Sequence, residues 1–226
     1  NEEMKYAFRP LLPNIRFLDF NEEKQIAEIT EKTSAVVIES IQAEAGIILP
    51  KEGYLKAVKK RCEQVGALLI LDDIQMGFGR TGKLFSFENF DFQPDIITLA
   101  KGMGGGMPIG AFVASKEMMN QLQYKPGLGH ITTFGGHPVS CAAAKASLEI
   151  IIEEDLSEKA EEKGQLFVNA LKDHPLVKEI RQKGLMLAID LGSNIKGAEA
   201  MRVLWQNRLI VDQFLFNRNS FRIAPP

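Results

Sequence analysis

Leu68-Leu69-Ile70-Leu71-Asp72-Asp73 and Asp95-Ile96-Ile97-Thr98-Leu99-Ala100-Lys101 decide the fold of this chain. Each is an apolar run of strand length that stops on an ionisable residue. The first ends on a carboxylate. The second ends on a lysine that leads into Gly102-Met103-Gly104-Gly105-Gly106. Continuous apolar strands of this kind lie at the centre of parallel sheets covered on both faces. Ala35-Val36-Val37-Ile38-Glu39 is a third such run, again closing on an acid. Ligands in these sheets sit beyond the carboxyl ends of the strands, where these charged residues fall.

Working outward, residues 15–20 alternate like a half-buried strand. Asn21 is placed to cap a short helix reaching about Thr30, with Glu22 and Glu23 in its first turn. A helix opens after Gly53, with Leu55, Val58, Cys62 and Val65 on one face and Gly66 as its stop. Strands are expected over 67–71, 95–99 and 108–114, and Ser115 is set to cap a helix to about Gln123. The segment from Pro126 to Pro138 reads as a glycine-rich loop. Pro138 suits the first turn of a long helix to about Glu154. A further helix starts at Asp155 or Ser157 and stops before Pro175. Beyond it, 185–191, 209–211 and 220–224 read as strands and 197–207 as a helix. The expected architecture is α/β: a three-layer, mainly parallel sheet over residues 1–145, then a smaller α/β domain over 146–226, with the helix 138–154 joining the two.

The 226 residues carry a net charge of −2, with 45% hydrophobic and 25% charged residues. That composition belongs to an ordinary globular protein and gives no reason to expect nucleic acid or a membrane as partner. Cys62 and Cys141 have neither metal-ligand spacing nor a disulfide framework, so no metal is expected and a cytoplasmic location is the default. The chain lacks an initiator methionine and stops just after a strand-like run, which reads as an internal or C-terminal fragment of a longer chain.

Asp72 and Lys101 together match the needs of pyridoxal phosphate. An acid under the ring keeps the pyridine nitrogen positive, and a desolvated amine forms a Schiff base with the aldehyde. Gln75 is placed to donate to a phenolic oxygen. Thr132 and Thr133, just before a helix start, offer hydroxyls and free amides for a phosphate. Arg222 is suited to bidentate binding of a substrate carboxylate, and Glu44 to pairing with Arg222 when no carboxylate is present. Each feature alone has an ordinary structural explanation; their concurrence is what points to chemistry. His130 and His137 read as structural.

Five motifs carry a closer resemblance: Val37–Gly46, Leu69–Gly82, Pro94–Gly102, Thr132–Pro138 and Phe221–Pro226. In these, and in the spacing between Asp72 and Lys101, the chain resembles the class III, ornithine/acetylornithine-type aminotransferases of the fold-type I pyridoxal phosphate enzymes. The resemblance implies Lys101 as Schiff-base lysine and acid/base, Asp72 at the pyridine nitrogen and Gln75 near the ring hydroxyl. It implies Thr133 at the cofactor phosphate of a neighbouring subunit, hence a homodimer. It implies Arg222 as the site for the carboxylate of glutamate or 2-oxoglutarate, with Glu44 as its cover when an ornithine or N-acetylornithine-like amine is bound. An aminomutase, a decarboxylase and a non-catalytic homologue are the competing readings. The chain departs from the family pattern at Asp73 (commonly Glu), Ser40 (often Pro) and Ala43 (often Gly). The family's glycine-containing phosphate loop and ring-stacking aromatic would precede residue 1, so this chain alone is expected to bind cofactor poorly and to be inactive.

Overall fold

The computed structural model describes residues 2–124 and 127–226; Asn1, Lys125 and Pro126 lie outside them. In chain order the elements are α1 (Glu2–Ala7), β1 (Ala35–Glu39), α2 (Tyr54–Val65), β2 (Leu68–Asp72), β3 (Ile96–Leu99), β4 (Ala111–Ala114), α3 (Lys116–Gln121), α4 (Pro138–Glu153) and α5 (Leu156–Leu171). They are followed by β5 (Glu179–Lys183), β6 (Met186–Asp190), α6 (Asn194–Gln206), β7 (Asp212–Gln213) and β8 (Ser220–Ile223). The first sheet has the order β1-β2-β3-β4, with β1, β2 and β3 parallel and β4 antiparallel to β3. The second has the order β5-β6-β8-β7 and is antiparallel throughout.

The apolar strands form the centre of the first sheet, as their composition requires. Leu69 and Leu71 share one face and are fully buried. Leu69 packs with Leu55, Val58 and Cys62, the helical stripe of α2. Leu71 packs with Ile97 and Leu99 against a cluster that includes Phe78, Phe85 and Phe87. Each such side chain contributes about 1.5–3 kcal/mol by leaving water. On the opposite face Val37 remains 68% exposed. Helix α2 begins and ends at left-handed glycines, Gly53 (φ 74°) and Gly66 (φ 74°).

Several local expectations fail, each for a physical reason. Residues 15–20 form no strand; a strand exists only with a partner ladder, and β1 is an edge of the sheet here. Asn21 caps no helix. It sits at φ 66°, donates to the Leu49 carbonyl (2.9 Å) and accepts from the Lys51 amide (2.7 Å), so it clamps a distant loop. The helix expected there is a single 3-10 stretch, Glu23–Glu28. The strand expected at 209–211 starts later, at Asp212 in β7, because the chain first leaves α6 through a turn at 207–208: Arg208 adopts φ 62° and the Leu209 amide returns to the Leu204 carbonyl. Strand β5 escaped the reading because Glu-Ile-Arg-Gln-Lys has one aliphatic residue and lies at a sheet edge. Over 127–137 the chain has no helix or strand, as expected of the loop, and Pro138 opens α4.

The two sheets are tied together at Gly184, the first residue of the two-residue turn between β5 and β6. Its φ of 56° suits the primed turns that tight hairpins favour. A Cβ there would stand 2.3 Å from the Arg80 carbonyl oxygen and 2.7 Å from the Thr81 carbonyl carbon. The Leu185 amide also donates to the Arg80 carbonyl (2.9 Å). Gly184→Ala therefore meets both backbone strain and backbone overlap, and is expected to cost about 3 kcal/mol or more. Thermal unfolding of the variant beside the parent reads this; an unchanged midpoint would contradict the packing described.

Candidate active site

The parallel register places the strand-end acids side by side. Glu39 and Asp72 are partners at the ends of β1 and β2, and Thr98 continues the row into β3. Asp72 is partly buried, and its Oδ1 accepts from the Ile74 amide (3.1 Å), which fixes the carboxylate at the head of the following turn. Three residues past Thr98, Lys101 begins a one-turn 3-10 helix, Lys101–Gly104, with φ 49°. Left-handed backbone at a non-glycine residue is costly and concentrates at functional positions. Nothing in the residues around Lys101 marks this conformation in advance. Nor is Lys101 desolvated as expected: it is exposed in this chain. The glycines beside it serve close packing, since a Cβ on Gly105 would come within 3.0 Å of Ser147 on α4.

Glu39 reports how closely these groups are gathered. Burial pushes its carboxyl above the usual range, despite a hydrogen bond accepted from the Ala43 amide (2.9 Å). The charges of Asp72 and Glu44 push it further up, and that of Lys101 pulls it down. Asp72, Glu44 and Lys101 thus all lie within electrostatic reach of one side chain. Glu39 was visible in the sequence only as a strand-end acid.

Gln75, Glu44 and Arg222 form one contact set. Arg222 Nη1 donates to Glu44 Oε1 (2.9 Å) and to Gln75 Oε1 (3.2 Å), and Gln75 Nε2 donates to Glu44 Oε1 (3.1 Å). The Arg222 guanidinium lies 5.7 Å from the Phe214 ring centroid, and its Nη2 donates to Asp212. Burial works to raise the Glu44 carboxyl, but the hydrogen bonds from Gln75, the Leu215 amide and Arg222 win and hold it below its ordinary value. The turn bearing Glu44 is pinned to the second sheet. Arg181 Nε donates to the Gly46 carbonyl (2.6 Å), the Phe216 amide to the Glu44 carbonyl (3.1 Å), and Asn217 to the Ala45 carbonyl (3.3 Å). Ile41, Ala43, Ile47 and Met76 pack there with Met186, Ala188 and Phe214. Arg181, Asp212 and Phe214 were missed by the sequence reading, because nothing local marks them as neighbours of Glu44.

Two departures from the family pattern prove to be linked. Asp73 and Ser40 are fully buried and meet through Ser86. Ser86 donates from its amide (3.1 Å) and its hydroxyl to the Asp73 carboxylate, and the Ser40 and Ser86 hydroxyls are 2.5 Å apart. Burial pushes the Asp73 carboxyl up, and the two Ser86 hydrogen bonds oppose that.

Thr133 lies on the exposed loop before α4, and no hydrogen bond joins it to the other candidate residues among the described residues. His130 meets Phe112 edge-on at 5.4 Å, a packing contact. The helix start at Pro138 has no side-chain cap.

The donor set fits pyridoxal phosphate by its chemistry: an acid at a strand end, an amide three residues on and a primary amine beyond the neighbouring strand. The fold is that of the fold-type I aminotransferases, of which the chain forms part. The class-III aminotransferase family model matches residues 1–226, and the chain belongs to that family. It is similar to the ornithine aminotransferase of Toxoplasma gondii (31% identity, TM-score 0.89), covering 100% of this chain and 54% of that one. That protein was crystallised with partial occupancy of pyridoxal phosphate at its active site. It is also similar to the acetylornithine aminotransferase of Elizabethkingia anophelis, at 35% identity and TM-score 0.85 over 96% of this chain and 56% of that one. A Bacillus anthracis aminotransferase is 37% identical with TM-score 0.82, over 90% of this chain and 50% of that one. The chain therefore spans about half the length of these structures. No helix among the described residues is long and apolar enough to cross a membrane.

Proposed function

We propose that an enzyme of full family length containing this chain is a pyridoxal phosphate-dependent transaminase. It moves an amino group from a terminal-amine donor, ornithine or N-acetylornithine-like, to 2-oxoglutarate. The observation that carries this reading is the Arg222–Glu44–Gln75 contact set. A carboxylate site that can be covered and uncovered is what a reaction alternating between an ω-amine and a diacid needs. An aminomutase or a decarboxylase has no such need, and a non-catalytic relative has no use for Lys101 and Asp72 as well.

When bound, the cofactor supplies an electron sink for the bond broken at the donor carbon. Asp72 holds the pyridine nitrogen protonated from the end of β2. Lys101 Nζ would hold the cofactor at its aldehyde carbon, and as a free amine it would take and return the proton at the donor carbon. Gln75 keeps Glu44 and Arg222 in register. With the amine donor in place Glu44 stays on Arg222; when the acceptor arrives Glu44 withdraws, and Arg222 takes the distal carboxylate in a two-pronged contact.

Residues 1–145 act in this reading as part of the cofactor-binding domain and 146–226 as part of the small domain. Thr133 serves the cofactor phosphate of a second subunit, in a cytoplasmic homodimer, and the 226-residue chain by itself is inactive. The similarity to ornithine and acetylornithine aminotransferases supports the donor class. The test supplies ornithine, N-acetylornithine and 2-oxoglutarate to the full-length enzyme and follows glutamate. Glutamate formed in step with the donor's aldehyde supports the reading. Donor loss as carbon dioxide, or an isomerised amine without glutamate, would replace transamination by one of the other chemistries.

A further inference from the structure

Arg222 faces two carboxylates. Glu44 and Gln75 occupy Nη1, and Asp212 occupies Nη2. The two carboxylates differ in how they are held. Glu44 belongs to the turn after β1, and its contact with Arg222 is made by the side chain across the gap between the two sheets. Asp212 is the register partner of Arg222 in the antiparallel pair β7–β8, so the backbone ladder itself keeps the two side chains adjacent. Withdrawal of Glu44 therefore leaves Asp212 in place.

The charge count then matters. Arg80 lies near enough for its positive charge to act on Arg222, but its Nη1 is engaged by the Leu185 and Pro225 carbonyls. With Glu44 gone, Arg222 still carries one carboxylate on the Nη2 end of its fork. An incoming carboxylate meets a cation already half-matched, and must share or displace that partner to gain a two-pronged grip.

We propose that Asp212 is a specificity-determining residue: it stays on Arg222 throughout turnover and lowers the affinity of the site for the acceptor's distal carboxylate. The effect favours release of the amino diacid and limits occupation of the site by diacids while the amine donor binds. The proposal rests on the reading of Arg222 as the carboxylate site. Its size is modest, because the Asp212 side chain is 69% exposed and its charge is screened.

The test measures binding of glutarate, a non-reacting five-carbon dicarboxylate, to the full-length holoenzyme by calorimetry. Asp212→Asn keeps the shape and an oxygen acceptor while removing the charge. It is expected to tighten glutarate binding by about threefold to fivefold. The same change in an Arg222→Ala background is expected to do nothing, because the effect runs through the guanidinium. Unchanged or weaker binding by Asp212→Asn, while Arg222→Ala loses affinity, overturns the role of Asp212 alone. An equal gain in the Arg222→Ala background overturns it as well, by showing that the charge acts elsewhere. Full glutarate affinity in Arg222→Ala overturns the carboxylate-site reading on which the proposal stands.

Discussion

Replacing Lys101 by alanine in the full-length enzyme is expected to lower turnover by about four orders of magnitude or more. In the proposed mechanism two roles are lost at once: the amine that holds the cofactor between turnovers and the base that moves the proton at the donor carbon. Positioned acid–base catalysis alone is worth about 10²–10⁴-fold. The placement of Lys101 makes compensation by a neighbour hard. It stands just past the end of β3 in left-handed backbone, three residues beyond Thr98, the register partner of Asp72. The nearby groups able to take a proton, Glu39 and Asp72, are carboxylates committed to other contacts. Glutamate formation followed over a single turnover is the measurement. A Lys101→Ala protein retaining a tenth of parental activity would remove Lys101 from the mechanism.

The second large effect falls on Arg222. Its side chain is only 15% exposed and holds contacts with Glu44, Gln75 and Asp212. Truncating one partner of a buried, hydrogen-bonded charge pair typically costs 2–5 kcal/mol, partly because the other charges are stranded. Arg222→Ala is therefore expected to lower kcat/KM for 2-oxoglutarate by about 30-fold to 5,000-fold. Lysine should rescue little, since an ammonium offers a point charge where the site presents a planar fork. Initial rates at varied 2-oxoglutarate, with the amine donor saturating, give the answer. A loss confined to the donor half-reaction would mean that Arg222 serves the amine substrate instead.

Much of this candidate site was legible in the residues because its members sit at points where local pattern and chemistry coincide. Asp72 ends one apolar strand and Lys101 lies two residues past another, and strand ends in a parallel sheet are where ligands sit. The helix over Leu55, Val58 and Cys62 declared itself by its period, and Gly53 and Gly66 marked its limits. What escaped was set by tertiary contact. Arg181 lies on an edge strand with no apolar alternation, yet it fixes the turn that carries Glu44. Asp212 and Phe214 acquire meaning only when β7 pairs with β8 beside Arg222. The left-handed backbone of Lys101 has no signature in its side chain, and glycine would be the ordinary choice at that angle. Asp73 and Ser40 read as separate departures, and only the fold shows that Ser86 joins them.

In the proposed mechanism Lys101 is the residue to which the cofactor is bound. The most direct test is the visible absorption spectrum of the full-length protein with pyridoxal phosphate, before and after borohydride, followed by peptide mapping of the reduced adduct. The expected result is an absorption band near that of a protonated imine that borohydride abolishes, leaving the added mass on Lys101. A folded protein with no such band, or with the adduct on another lysine, would rule Lys101 out of that role.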